Sequence, residues 1–210
     1  MSRANPQLFS VRLDELHPTQ VTVGKAEVAL KRKEWSRLGK KARAKALSGH
    51  WLPSILGPEG RHYVVDHHHF GLALLEEGVK KASLLVLKDL SWLEPASFWR
   101  VMDHHQWVHP YDSSGLRREY TAIPKHLEHL KDDPYRSLAG ELRRAGGFAK
   151  DVTPFSEFLW ADFFRSRLPL DGKQRDVARA LPKALKLACS QEARYLPGWS
   201  GLVVATPHPT

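Results

Sequence analysis

The run Asp66-His67-His68-His69 carries the densest chemistry in the chain. It follows the β-like stretch Tyr63-Val64-Val65 and precedes Phe70, Leu72, Ala73, Leu74 and Leu75, a helical pattern that stops at Gly78. A helix that opens at this point presents unpaired backbone N–H groups in its first turn. Imidazoles beside those groups can donate to phosphate oxygens or bind a metal ion. Asp66 can hold a histidine tautomer, accept a substrate proton or cap the helix. Three successive histidines point in different directions, so at most two of His67, His68 and His69 share one site.

Glu27 is the lone acid between Gly24 and Arg32, among Lys25, Lys31 and Arg32. Such neighbours favour its ionised form, which suits a general base, a magnesium ligand or an ordinary surface ion pair. His105 and His109 are four residues apart near the end of an expected helix. On one helical face that spacing lets two imidazoles grip a cation.

These residues need a scaffold that holds them, and the pattern supplies an N-terminal mixed α/β half. Leu8 to Leu16 reads as a strand, with Phe9, Val11 and Leu13 on one side. Lys25 to Lys33 and Glu34 to Leu47 suit two short helices or one bent one. Ser54-Ile55-Leu56 and His62 to Val65 flank the turn Gly57-Pro58-Glu59-Gly60 as a hairpin, and Ser83 to Leu87 is another strand. Beyond Leu90 the pattern is helical, with helices expected from Glu94 to His109, Pro124 to Leu130, Pro134 to Arg144, Pro154 to Arg167 and Lys173 to Cys189. The expected fold class is α+β, with a sheet-bearing domain over 8–92 and a helical region over 93–200 packed on it. The polar leader before Leu8 and the Pro-rich tail after Val204 are expected to lie outside the core.

In 210 residues, 32 basic and 23 acidic side chains leave a net charge of +9, which favours phosphate-bearing partners. Much of the excess lies between Lys25 and Lys45, where nine basic residues meet two acidic ones. A single cysteine, Cys189, excludes an internal disulfide framework and any zinc site built on several thiolates. No run approaches the roughly 18 apolar residues of a membrane span, and the expected location is the cytoplasm. Gly-rich phosphate loops, GxSxG elbows and CxxC pairs are absent from the sequence.

Strand, then Val64-Val65-Asp66-His67-His68-His69, then a helix with Ala73-Leu74 resembles the signature of the ParB/sulfiredoxin superfamily, and more closely the ParB-like nuclease family of small bacterial proteins. Pro18-Thr19-Gln20 with Val23-Gly24, Pro110 to Gly115, Asp133-Pro134-Tyr135-Arg136-Ser137-Leu138-Ala139 and Pro154 to Arg165 strengthen the resemblance, which covers roughly residues 8 to 200.

The resemblance implies a phosphate site, since the superfamily contains CTP-binding partition proteins, an ATP-using sulfinic-acid reductase and free serine kinases. Asp66, His68 and His69 match the kinase form of the motif; His67 stands where that form has glycine, and Phe70 where it has arginine. The expected function is binding of a nucleotide or phosphorylated small molecule by Lys25, Lys31, Arg32, His67, His68 and His69. ATP, ADP or another nucleotide would bind with Mg²⁺, and Glu27, Asp66 and His68 would act in phosphoryl transfer or hydrolysis. The alternative is a metal-dependent, nuclease-like protein that meets DNA non-specifically through the Lys25 to Lys45 surface.

Overall fold

The computed structural model describes residues 8–170 and 174–201. The polar leader, Lys173 and the tail after Val204 lie outside the described residues. Two compact units divide at Asp132/Asp133, well beyond the point near residue 92 where the strand pattern fades. The reason is local. A two-residue strand at 131–132 returns to pair with the N-terminal region and carries the intervening helix and loops into the first unit.

The first unit is built on five strands: β1 (Leu8–Arg12), β2 (His17–Pro18), β4 (Trp51–Leu56), β5 (His62–Val64) and β6 (Lys81–Asp89), in the order β1-β6-β4-β5-β2. β1 pairs antiparallel with β6, β6 parallel with β4, β4 antiparallel with β5, and β5 parallel with β2. Pro18, which lacks a backbone donor, sits on the edge strand where none is needed. The strand expected from Leu8 to Leu16 is shorter, because Leu13–Glu15 turn as a 3₁₀ helix. A separate parallel pair joins β3 (Thr22–Val23) to β7 (Lys131–Asp132).

Alternation along β4 sends Leu52 to one core and Ile55 to another. On the first side lie α1 (Lys25–Ser36) and α3 (His68–Glu76), through Val28, Trp35, Leu72, Ala73 and Leu74. On the second lies α4 (Pro95–His104), through Phe98 and Met102. Each fully buried side chain of this kind contributes about 1.5–3 kcal/mol. α2 (Lys40–Gly49) has no buried residue, and the expected helix from Pro124 to Leu130 is reduced to a 3₁₀ turn at Leu127–His129. α3 ends in a Schellman motif: Gly78 adopts φ +74°, while the Gly78 and Val79 N–H groups donate to Leu75 and Leu74.

The second unit packs α5 (Pro134–Arg144), α6 (Ser156–Arg165) and α7 (Gln174–Ala188) around Leu138, Leu142, Trp160, Phe163, Phe164 and Ala184. The whole is α+β, as expected. No helix among the described residues is long and apolar enough to cross a membrane.

Candidate phosphate-binding site

Local sequence explains how α3 begins. β5 stops at Val64, the chain turns at Asp66, and His67 enters the left-handed region (φ 63°, ψ 24°) before the first helical residue. That conformation costs a residue with a Cβ about 1–2 kcal/mol. It is the conformation glycine adopts freely, at the position where the kinase form of the motif has glycine. Asp66 is exposed, and its Oδ1 accepts the His67 N–H at 2.6 Å. His67 is also exposed.

His68 and His69 turn inward. His68 Nε2 accepts the backbone N–H of Thr19 at 3.2 Å, and His69 Nε2 accepts that of Gly24 at 3.0 Å. Both side chains are buried. An Nε2 that accepts carries no proton, so in the neutral rings the proton is on Nδ1. The expectation that these imidazoles donate to phosphate is therefore corrected for their Nε2 atoms. They tether a six-residue strap, Thr19 to Gly24, at both ends to the first turn of α3. Thr19 Oγ1 donates to Val64 O at 2.8 Å and fixes the strap to β5 as well.

The strap leads directly into α1, with Gly24 as its N-cap. The Lys25 N–H donates to Asp132 Oδ1 at 2.8 Å, so a residue of β7 caps the helix. Glu27 is the third helical residue and is 5% exposed. A glutamate at that position ordinarily reaches back to the N-cap N–H. Here His69 holds that donor. Glu27 Oε1 lies 3.5 Å from Lys31 Nζ, Oε2 lies 3.6 Å from His69 Nε2, and Oε2 has no hydrogen-bond partner among the described residues.

α1 and α3 run parallel. Glu27 meets His69 at one end, and Arg32 donates to Glu76 and Glu77, each at 2.9 Å, at the other. Both positive helix ends thus lie together beside the buried carboxylate. The same pairing corrects the expectation for Arg32, which is bound at the C-terminal end of α3, away from the turn. Lys25 and Lys31 remain at the N-terminal end, Lys25 exposed.

His105 and His109 are not brought onto one helical face, because α4 ends at His104 and Gln106 takes φ 56°. His105 stacks on Trp107 and His109 on Tyr111, each at 4.3 Å. Among the described residues no group of three His, Cys, Asp or Glu side chains is placed to hold a metal ion.

β5, the turn at Asp66 and α3 follow the strand, histidine run and helix that carry the sequence resemblance. A sequence model described as "Putative ParB-like nuclease" matches residues 9–166. The chain belongs to this ParB-like nuclease family. It is similar to protein Atu1540 from Agrobacterium tumefaciens, known from a crystal structure, at 47% identity and a TM-score of 0.86, over 94% of this chain and 100% of that one. No curated protein matches.

The later motifs of this ParB-like chain are structural in the second unit. Asp133 caps α5 by accepting the Tyr135 N–H at 3.0 Å and also receives Arg165 at 2.9 and 3.2 Å. The Arg136 guanidinium lies 3.4 Å from the centre of the Phe158 ring, a cation–π contact. Sequence reasoning missed Asp132, whose carboxylate caps α1 from more than a hundred residues away.

Proposed function

We propose that this ParB-like protein binds a nucleotide or other phosphorylated small molecule at the first turn of α3. We further propose that it acts in the cytoplasm as a phosphotransferase or phosphohydrolase. One observation carries the reading: parallel packing sets two positive helix ends beside Glu27, a buried carboxylate with an unpartnered oxygen. The α1 amides of Gly24 and Lys25 are taken by His69 and Asp132, so at these two positions α1 contributes its field rather than donors.

Glu27 Oε2 takes the proton of the attacking hydroxyl or water as the new O–P bond forms and the leaving phosphate oxygen departs with its electron pair. Lys31 and Lys25 offset charge on the transferred group. Asp66, an exposed carboxylate at the turn, suits Mg²⁺, which is held by one or two carboxylates together with substrate phosphates. The ion would neutralise phosphate charge there.

A thermal-shift panel of ATP, ADP, CTP and GTP with Mg²⁺, and short duplex DNA at two salt concentrations, tests the reading. A nucleotide-selective rise in Tm supports it, together with turnover lost in Glu27→Gln while the shift persists. Absence of any nucleotide shift overturns it.

A second reading, a nuclease-like protein that meets DNA, is supported by α2. Lys40, Lys41 and Lys45 are exposed, whereas Arg43 is tied back to the carbonyls of Trp35 and Ser36. Its binding would be non-specific and would weaken steeply with salt. A salt-sensitive shift with DNA alone in the same panel would favour it.

A further inference from the structure

β1 lies at one edge of the five-stranded sheet, with β6 as its one ladder partner among the described residues. The Leu13 N–H donates to Lys80 O where that ladder ends, so the hydrogen-bonded pairs run back through Val11 with Ala82 and Phe9 with Leu84. Leu8, Ser10 and Arg12 therefore aim their N–H and C=O groups away from β6, along the open edge. All three are exposed, and the apolar side chains here are not covered: Leu8 is 59% and Phe9 41% exposed. Edge strands are ordinarily blunted by Lys, Pro or a bulge, because an open ladder recruits another strand. β1 has none of these, and its register against β6 is regular. Its one charge, Arg12, is held by Asp14 and Glu15 of its own chain.

The strand also complements itself. We propose that β1 is a self-association edge, to which a second copy of this chain adds its own β1, antiparallel, about a two-fold axis at Ser10. That register uses the whole strand. Ser10 meets Ser10 of the second copy and Leu8 meets its Arg12, all outward-facing residues, so each pair exchanges both N–H···O bonds. Phe9 falls opposite Val11 of the second copy, and Val11 opposite its Phe9, the aromatic and β-branched pairing that stabilises sheets. The two Arg12 side chains lie about 14 Å apart along the strands, beyond the ~8 Å Debye length, so like charges are kept apart. Five residues a side is far fewer than the 20–30 of a standard interface, so Kd is on the order of tens of micromolar. Ala46 and Leu47 of α2 pack on the core that holds Leu84, the neighbour of Phe9. The two-fold thus sets the exposed Lys40, Lys41 and Lys45 of both copies on one side of the joined sheet.

Sedimentation equilibrium on the full chain, from about 5 to 500 µM, tests the pairing across the range expected for a weak dimer. The wild type should pass from monomer to dimer as concentration rises. Ser10→Lys sets two ammonium groups across the axis and Ser10→Glu two carboxylates, so each variant alone should dimerise at least about tenfold more weakly. An equimolar mixture of the two should associate as the wild type does or more tightly. Both should melt within a few degrees of the wild type, because the substituted side chain is exposed. Amide exchange gives a readout without any variant. The Ser10 N–H should exchange quickly in dilute solution and slow as concentration rises, whereas the Val11 N–H, held in the β1–β6 ladder, should be protected throughout.

A monomer at every concentration would overturn the proposal. So would association unchanged in both variants, which would place the interface elsewhere, or a mixture no tighter than either variant alone, which would exclude a two-fold at Ser10. Should either variant melt well below the wild type, the wild-type exchange decides: Ser10 exchange that does not depend on concentration overturns the pairing.

Discussion

His69 Nε2 accepts the Gly24 backbone N–H at 3.0 Å and thereby holds the donor that Glu27, at the third position of α1, would otherwise bind. One imidazole both anchors the strap and leaves a buried carboxylate oxygen without a hydrogen-bond partner among the described residues.

This competition predicts non-additive energetics. His69→Ala should cost about 1–3 kcal/mol for the lost buried acceptor, less whatever Glu27 recovers by taking the donor. The double variant with Glu27→Ala should then lose more than the sum of the single changes in urea denaturation. Additive losses would show that the two side chains do not share the Gly24 N–H.

His67 carries the backbone cost of the turn. His67→Gly should match or exceed wild-type stability, because glycine enters the left-handed region without steric penalty. His67→Val should lose at least about 1 kcal/mol, since a β-branched residue suits that region poorly. Denaturation midpoints decide this, and a large loss in the glycine variant would mean that the imidazole itself holds the turn.

Asp133 is 1% exposed, caps α5 and receives Arg165. Asp133→Ala leaves that guanidinium without its buried partner and should cost about 3–5 kcal/mol. Hydrogen exchange should place the loss in α5 and α6. Near-wild-type protection there would contradict a structural role for this motif.

Acid sensitivity follows from His17. Burial, then repulsion from Arg61 and His126, lowers its pKa from 6.5 to about 4, and burial also lowers that of His62. The unfolded chain therefore binds more protons than the folded one between pH 6.5 and about 4. Stability from this source is fully present above pH 6.5 and falls as the pH drops toward 4. Tm measured across that window should decline, with a shallower slope in His17→Asn; an identical slope would exclude His17 as a contributor.

Local pattern was enough to read α3 with its stop at Gly78, the β4–β5 hairpin, the α5 start at Asp133-Pro134 and the α+β class, because periodicity, turn residues and caps act over a few positions. Glu27, Asp66 and the histidine run were visible as candidates for the same reason. Their roles were not. His68 meets Thr19, His69 meets Gly24, and Arg32 meets Glu76 and Glu77, all partners more than forty residues away in the chain. His105 and His109 shared a face only on a helix that the left-handed Gln106 ends too soon.

By itself, then, the sequence determined which ionisable residue types the chain carries around the Asp66–His69 turn and which short elements could hold them. Tertiary structure alone decided which nitrogens were already committed to backbone N–H groups. Parallel packing of α1 on α3 decided which charges were spent at the far end and which carboxylate kept an open oxygen. Hydrogen bonds and ion pairs act over a few ångströms, and only the folded chain brings those distances about.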